Sequence, residues 1–426
     1  MPSAHRVLRS SAALCVTAVA LALLPSVATA AREGPKLSVP AAQLARSLTC
    51  SPGLGTARSA PVLLTPAFSD AETSYGWNYI RQLRADGIPF CSISVPDEGY
   101  GDLQRTAEHV VYAVRRMAAE SERRVVLVGH QHGALDELWA LTYWPDVARS
   151  VSDLVSLATP FQGTTSSTGL CGPGGRCTAA LRQITRGSRF LSALRAAPLP
   201  RGVAITSIAS ANDALITPQP LASRLPGARN VQLQDLCPGR VVDHFATLAD
   251  SVAYGLFRDA RSRPGPADPR RLPAGACSTR YMKAADPAVL GLTGIFLGSF
   301  AARNAASDDR EPATRPYARR RAPVVTVLSR RALISPAAIA LRLRCRSVGR
   351  TDCRVTVTAT DGAGTRAGTT RLSIAPGQPR TATIGLSQSR PGERYRLRVH
   401  AVDALGNAGT SRTSVTAAVS SQDRQR

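Results

Sequence analysis

Residues 129–133 read Gly-His-Gln-His-Gly, between the apolar run VVLV at 125–128 and a helical pattern that begins with Leu135, Leu138 and Trp139. Small residues flanking one side chain between a strand and a helix are the layout of a nucleophile elbow, a sharp turn that lifts that side chain to the edge of a sheet. The usual form is G-x-S-x-G, and here the serine slot holds Gln131. Two more candidates lie downstream, Asp213 in Ser210-Ala211-Asn212-Asp213 and His244 in Val242-Asp243-His244. The chain order of nucleophile position, acid and histidine is that of a triad in which His244 is the base and Asp213 orients it and stabilises its protonated form. The chemistry such a set performs is acyl transfer, and Gln131 supplies neither a good nucleophile nor a proton for the base to take.

The elements that would hold these residues alternate from residue 60. Residues 61–65 and 90–95 read as buried strands, and 106–117 carries apolar residues at Ala107, Val110, Val111, Val114 and Met117, a helical spacing. The elbow strand, its helix to Trp144, strands at 154–158, 203–208 and 230–234, and a closing helix at 246–257 follow. Regular alternation implies an α/β class with a parallel sheet covered on both faces and a site at the carboxyl ends of its strands, where Gln131, Asp213 and His244 fall.

With 426 residues and 44% apolar composition the chain has room for two or three domains with real cores. Residues 1–30 are read as a secretory signal: a positive leader with Arg6 and Arg9, an apolar run at 12–24 too short for a bilayer, and Ala28-Thr29-Ala30 as the cleavage site. No later stretch reads as long enough to cross a membrane. Nine cysteines less Cys15 in the leader leave an even set, which in a secreted chain favours disulfides over thiol or zinc chemistry. Proximity pairs Cys171 with Cys177 and Cys345 with Cys353; spacing alone does not fix Cys50, Cys91, Cys237 and Cys277. The formal net charge is +24, nearly all from arginine, and about +22 without the leader. Because the arginines are scattered without interleaved aromatics, no nucleic-acid partner is expected, and compositional bias explains the charge better than a dedicated anion site.

Residues 45–262 resemble the secreted α/β-hydrolase lipases of the yeast lipase B type and their actinobacterial relatives. The resemblance rests on Leu48-Thr49-Cys50, Val62-Leu63-Leu64-Thr65-Pro66, Gly76-Trp77-Asn78-Tyr79, Cys91-Ser92-Ile93-Ser94, Val128-Gly129-His130, Leu154-Val155-Ser156-Leu157-Ala158 with Gly163-Thr164, and Val242-Asp243-His244. It implies the α/β-hydrolase fold, Cys50–Cys91 and Cys237–Cys277 bridges, Asp213 and His244 in the triad, acyl-ester substrates and no cofactor. The chain departs from the pattern at Gln131, at His132 where Gln is common, and at Ala67-Phe68-Ser69, where a glycine and a small hydroxyl residue usually form the oxyanion turn. Backbone N–H groups of Phe68 and His132 remain candidates for an oxyanion hole, since they need no particular side chain.

Removing a triad serine lowers turnover by on the order of 10⁶, so the favoured expectation is a secreted protein that binds lipid or acyl esters without cutting them. A second reading is an active ester hydrolase in which His244, held by Asp213, activates water. A third places a metal between His132, His244 and Asp213, and is the least favoured. His130 is read as packed beneath the turn, and Ser166 and Ser167 as plain loop residues.

The domain plan is a hydrolase-like unit at 31–262, an extension of it at 263–300, a linker at 301–322 and a β-sandwich at 323–420. Within the extension the apolar stretch 287–300 is read as a tail helix packed on the hydrolase-like unit in preference to a flap at its mouth. In the last hundred residues the period changes to two: Ile339, Leu341, Leu343 and Cys345 alternate with Ala340, Arg342, Arg344 and Arg346, and Tyr395, Leu397, Val399 and Ala401 with Arg394, Arg396, Arg398 and His400. Strands at 324–328, 339–346, 353–360, 371–375, 380–386 and 394–403 suggest a small sandwich. The run 402–407 before a final strand resembles the end of fibronectin-type-III and related Ig-like modules. Two arginine rows could together form a basic face for an anionic cell-surface polymer, weighed against an ordinary solvated face.

Overall fold

Seven short strands build the first sheet: β1 (Leu48–Cys50), β2 (Val62–Thr65), β3 (Phe90–Ile93), β4 (Val125–His130), β5 (Val151–Leu157), β6 (Ala204–Ala209) and β7 (Arg229–Gln232). The computed structural model describes residues 33–307, 309–318, 323–329, 331–335, 338–346, 352–387, 392–403 and 408–419. Residues 1–30, read in the sequence as a secretory signal, lie outside them. Strand order is β1-β3-β2-β4-β5-β6-β7, with β1 antiparallel to β3 and every other pair parallel. β2, β3 and β4 are buried at every position, as a parallel sheet covered on both faces requires.

Alternate residues supply the two faces. Leu63 and Leu127 join a core with α1 (Leu103–Ser121) and α2 (Gly133–Tyr143), while Val62, Leu64, Val126 and Val128 join a second with α3 (Ser251–Ser262). Helix α1 buries Ala107, Val110, Val111, Val114 and Met117, the spacing seen in the sequence. The expected closing helix at 246–257 is instead a 3₁₀ turn, Ala246–Leu248, followed by α3. Asp250 makes the break by capping α3, accepting from the N–H groups of Val252 and Ala253.

All eight described cysteines pair, as Cys50–Cys91, Cys171–Cys177, Cys237–Cys277 and Cys345–Cys353. Cys50 lies directly opposite Cys91 in the β1–β3 ladder, so the short edge strand is stapled to its neighbour. The Cys237–Cys277 bridge ties the extension back to the loop that carries His244. Arg240 reinforces it, pairing with Asp250 at 2.7 Å and donating to the carbonyls of Cys277, Thr279 and Arg280.

The extension continues through a 3₁₀ turn, Pro287–Leu292, into helix α4 (Thr293–Ala306). By length and composition the 20-residue span Pro287–Ala306 is apolar enough to cross a bilayer. A single span that qualifies by length and composition alone makes no clear transmembrane segment, in line with the sequence reading. Residues 309–318, inside the stretch read as a linker, lie against the hydrolase-like core. Glu311 accepts from the N–H of Phe190, the N–H of Arg315 donates to Gln104, and Tyr317 packs among Trp139, Tyr143 and Trp144. Residues 319–322 of that stretch are outside the description.

The C-terminal unit is all β, from β8 (Val324–Val327) through β9 (Arg331–Ser335), β10 (Ala338–Arg346), β11 (Cys353–Thr360), β12 (Arg366–Ile374), β13 (Pro379–Gly385) and β14 (Arg394–Asp403) to β15 (Ala408–Val419). Its order is β12-β11-β14-β15-β9-β10-β13, with β8 on β10. The outer strands β12 and β13 come together, Arg380 donating to the carbonyl of Ser373, so the sheet folds over a single core. Ile339, Leu341, Leu343 and Cys345 meet Tyr395, Leu397, Val399 and Ala401 there, as the alternation predicts. Strand β9 was not foreseen in the sequence, and residues 404–407 of the module-like ending lie outside the description.

Candidate functional site

Strand β4 ends in the elbow, where Gln131 has φ of 50°, a left-handed conformation that is uncommon for glutamine and costs on the order of 1–3 kcal/mol. The flanking glycines make the bend feasible. A Cβ at Gly129 would lie 2.4 Å from the amide nitrogen of Ala134, and one at Gly133 would lie 2.2 Å from the carbonyl oxygen of Thr65. The N–H of Gln131 donates to the carbonyl of Leu157 at 2.8 Å, which fixes the turn to β5. Its side-chain Oε1 is buried without a hydrogen-bond partner among the described residues.

Asp213 and His244 meet across two loops. His244 Nδ1–H donates to Asp213 Oδ2 at 2.9 Å, and Asp213 Oδ1 accepts from the N–H groups of Leu215 and Ile216 at 2.9 and 2.8 Å. Both side chains are buried. Backbone donors thus hold the carboxylate and the carboxylate holds the imidazole, the arrangement that presents Nε2 as a proton acceptor and stabilises the cation if it forms. Ser210 and Gln234, neither singled out in the sequence, join the loops. Ser210 Oγ donates to the carbonyl of Val242 at 2.5 Å, and Gln234 Nε2 donates to Ser210 Oγ, Asn212 Oδ1 and the carbonyl of Arg240.

His130 is buried, as expected, but not beneath the turn alone. Its ring lies 4.7 Å from that of His244, its Nε2–H donates to the His244 carbonyl at 3.3 Å, and it lines the pocket. Burial, then the neighbouring His244, holds it well below the ordinary histidine range, so it is neutral. His132 points away from both. It packs edge-on against Phe68, with ring centroids 4.4 Å apart, and its Nδ1 faces Asp136 at 3.4 Å. Burial lowers its pKa to about 3. The metal reading fails on this geometry: His132 does not converge with His244 and Asp213, and among the described residues no group of three His, Cys, Asp or Glu side chains could hold an ion. Ser166 Oγ hydrogen-bonds across to Thr217 Oγ1 in the loop after β6, and Ser167, which opens a short helix at Ser167–Leu170 where plain loop was expected, donates to the carbonyl of Thr164.

Behind the elbow, α2 carries two fully buried acids. Among the described residues Asp136 has one oxygen without a hydrogen-bond partner and Glu137 both. Burial, reinforced at Asp136 by Glu137, Asp97 and Asp102, pushes both well above the usual carboxylate range. They are neutral acids at the base of the turn, and sequence reading passed over them because they occupy positions in a helix that otherwise reads as ordinary.

In front of Gln131 and His244 opens a cavity of about 170 Å³. Trp77, Leu215, Phe245, Phe296 and Phe300 give it an apolar wall, and Ser69 and Ser74, hydrogen-bonded to each other at 2.5 Å, supply polar groups. Phe68 lines it as well, whereas His132 is not among the lining residues. The 287–300 stretch is packed on the hydrolase-like unit and at the same time forms one side of this mouth, through Val289, Leu290, Leu292, Phe296 and Phe300. Such a space admits an apolar chain with a polar head toward Gln131 and His244.

No family profile matches the chain. Lipase B of Pseudozyma antarctica is 32% identical over 269 residues, which are 60% of this chain and 76% of that protein. The crystal structure of Aspergillus fumigatus lipase B superposes with a TM-score of 0.60 at 27% identity, covering 67% of this chain and 73% of that one. The mature form of the Bacillus licheniformis lipase BlEst2 overlaps at a TM-score of 0.36 and 17% identity, over 50% of this chain and 89% of that one.

Proposed function

This chain belongs to the lipase B family of α/β-hydrolases, and from that premise we propose that it is a secreted protein that binds lipids or acyl esters in the family's cleft without hydrolysing them. The observation that carries this reading is Gln131, held at the elbow in the left-handed conformation beside an apolar pocket. A carboxamide cannot pass a proton to His244 and attacks a carbonyl poorly. It also fills space at the point where the acyl carbon would sit. The expected loss in turnover is on the order of 10⁶, with roughly 10³–10⁴ over water left to binding and the oxyanion hole. In this reading His244 and Asp213 persist as the polar end of a binding pocket, and the backbone N–H groups of Phe68 and His132 receive the ligand's carbonyl. Four disulfides support an oxidising, extracellular setting. For the C-terminal unit we infer contact with an anionic cell-surface polymer through its arginines.

The intact His244–Asp213 pair favours one alternative, an ester hydrolase in which His244 Nε2 takes a proton from water as it attacks the ester carbonyl. One assay separates the two. The wild type is expected to bind a fluorescent long-chain acyl probe and to leave p-nitrophenyl butyrate intact, while Gln131→Ser gains ester turnover. Robust wild-type hydrolysis abolished by His244→Ala would overturn the binding reading in favour of the water mechanism.

A further inference from the structure

The two arginine rows do not form one face. Strands β14 and β10 sit three places apart in the order β12-β11-β14-β15-β9-β10-β13, and both turn their apolar residues into the same core. Their arginines therefore point outward on opposite walls, which corrects the joint face expected from the sequence.

The wall made of β12, β11, β14 and β15 is the unusual one. Arg354, Arg371, Arg394, Arg396, Arg398 and Arg412 are all exposed on it. The ladders place Arg398 opposite both Thr358 and Arg412, Arg371 opposite Thr356, and Arg354 opposite Ser373. Two arginines directly opposite each other destabilise a sheet, and among the described residues no acidic side chain pairs with either. Apart from Val402, Ala408 and Ala418, the outward positions of the four strands are Arg, Thr, Ser or His. Among the described residues no ion pair reaches any of the six arginines.

We propose that this wall is the docking surface for a linear phosphodiester polymer, an inference that rests on the reading of the C-terminal unit as a polyanion binder and assigns the face and the chemistry. Arg394, Arg396 and Arg398 recur every second residue along β14, about 6.8 Å apart, so an extended polyanion laid along the strand meets a guanidinium at each interval. Each fork grips the two non-bridging oxygens of a phosphodiester and leaves lone pairs for the neighbouring threonine and serine hydroxyls. Among the described residues the wall's only outward apolar side chains are Val402 and two alanines, too few to enter a bilayer, and it carries no Phe, Tyr or Trp on which bases would stack.

The test uses the full chain and poly(glycerol phosphate). Binding is expected at 50 mM salt and to weaken steeply by 300 mM. The quadruple variant Arg354→Gln, Arg371→Gln, Arg396→Gln, Arg398→Gln is expected to lose at least about tenfold in affinity and to shallow the salt dependence by roughly 0.7 in log–log slope per charge removed. Arg342→Gln, Arg346→Gln on the other wall is expected to stay within about twofold. Arg398→Gln alone, a single surface change, is expected to cost about two- to threefold and reads the wall even if the quadruple variant misfolds. Equal losses from both walls, or loss only from the second, would overturn the assignment of the face while leaving polyanion binding intact. Absence of wild-type binding at 50 mM salt would overturn both. Binding to phosphatidylglycerol vesicles or duplex DNA but not to the polymer would overturn the phosphodiester polymer in favour of that partner.

Discussion

Asp213 Oδ2 receives the Nδ1–H of His244 at 2.9 Å while its other oxygen is held by two backbone N–H groups. In the proposed reading this pair is retained while Gln131 makes no use of it. Reintroducing a hydroxyl at 131 should therefore expose the value of the pair. In the Gln131→Ser background, Asp213→Asn is expected to lower kcat by about 10⁴, because the amide no longer holds the imidazole in the tautomer that accepts at Nε2. Steady-state ester kinetics on the two variants measure it, and equal kcat values would mean that the loop pair does not serve residue 131.

The two neutral acids on α2 make stability depend on pH. In the unfolded chain Asp136 and Glu137 ionise near pH 4, whereas burial keeps them protonated well above that in the folded chain. Between those limits the folded state binds more protons, so stability is greatest below about pH 4 as far as these groups are concerned and falls as pH rises, by about 1.4 kcal/mol per unit for each carboxyl that stays neutral. Glu137→Gln removes one such proton. Urea unfolding from pH 5 to 8 is expected to show a slope shallower by about one proton in the variant and higher stability at pH 8. Parallel slopes would refute the assignment.

Gly133 carries a steric demand that its neighbour Ala134 does not. Because an added Cβ would collide with the Thr65 carbonyl, Gly133→Ala is expected to cost at least about 2–3 kcal/mol, in the range of overpacked cores. Denaturant titration checks this, and a loss below 0.5 kcal/mol, roughly that of a surface change, would show that the turn can yield.

Tyr317 fastens the 309–318 segment. Its ring sits 5.3–5.4 Å from those of Trp144 and Tyr143, and its hydroxyl accepts from Trp139 Nε1. Tyr317→Ala is expected to destabilise by about 2–3 kcal/mol and to make the 309–318 segment sensitive to limited proteolysis. Unchanged protease resistance would show that the remaining contacts of the segment suffice.

The parallel sheet and its helices were legible because periodicity speaks for itself in buried strands, and chain order pointed to Asp213 and His244, whose side chains the fold brings within 2.9 Å. The site's walls were less so. Phe296 and Phe300 come from a segment more than 160 residues away from the elbow, and their approach depends on the Cys237–Cys277 bridge and Arg240 rather than on local pattern. Strand β1 was hidden by its three-residue length, since pairing with β3 and the Cys50–Cys91 bridge define it more than its own composition. The two arginine rows looked alike in the sequence, where the period shows that a residue faces outward but not which wall it occupies.

Gln131 keeps a backbone posture that glutamine does not favour, so the cost of the bend is borne by the surrounding strand and helix and not by the residue's identity. Whatever side chain is installed there will be delivered to the same spot. A panel of serine, cysteine and aspartate at that single position would turn the pocket into its own reporter, each reading a different reactivity of one unchanged environment.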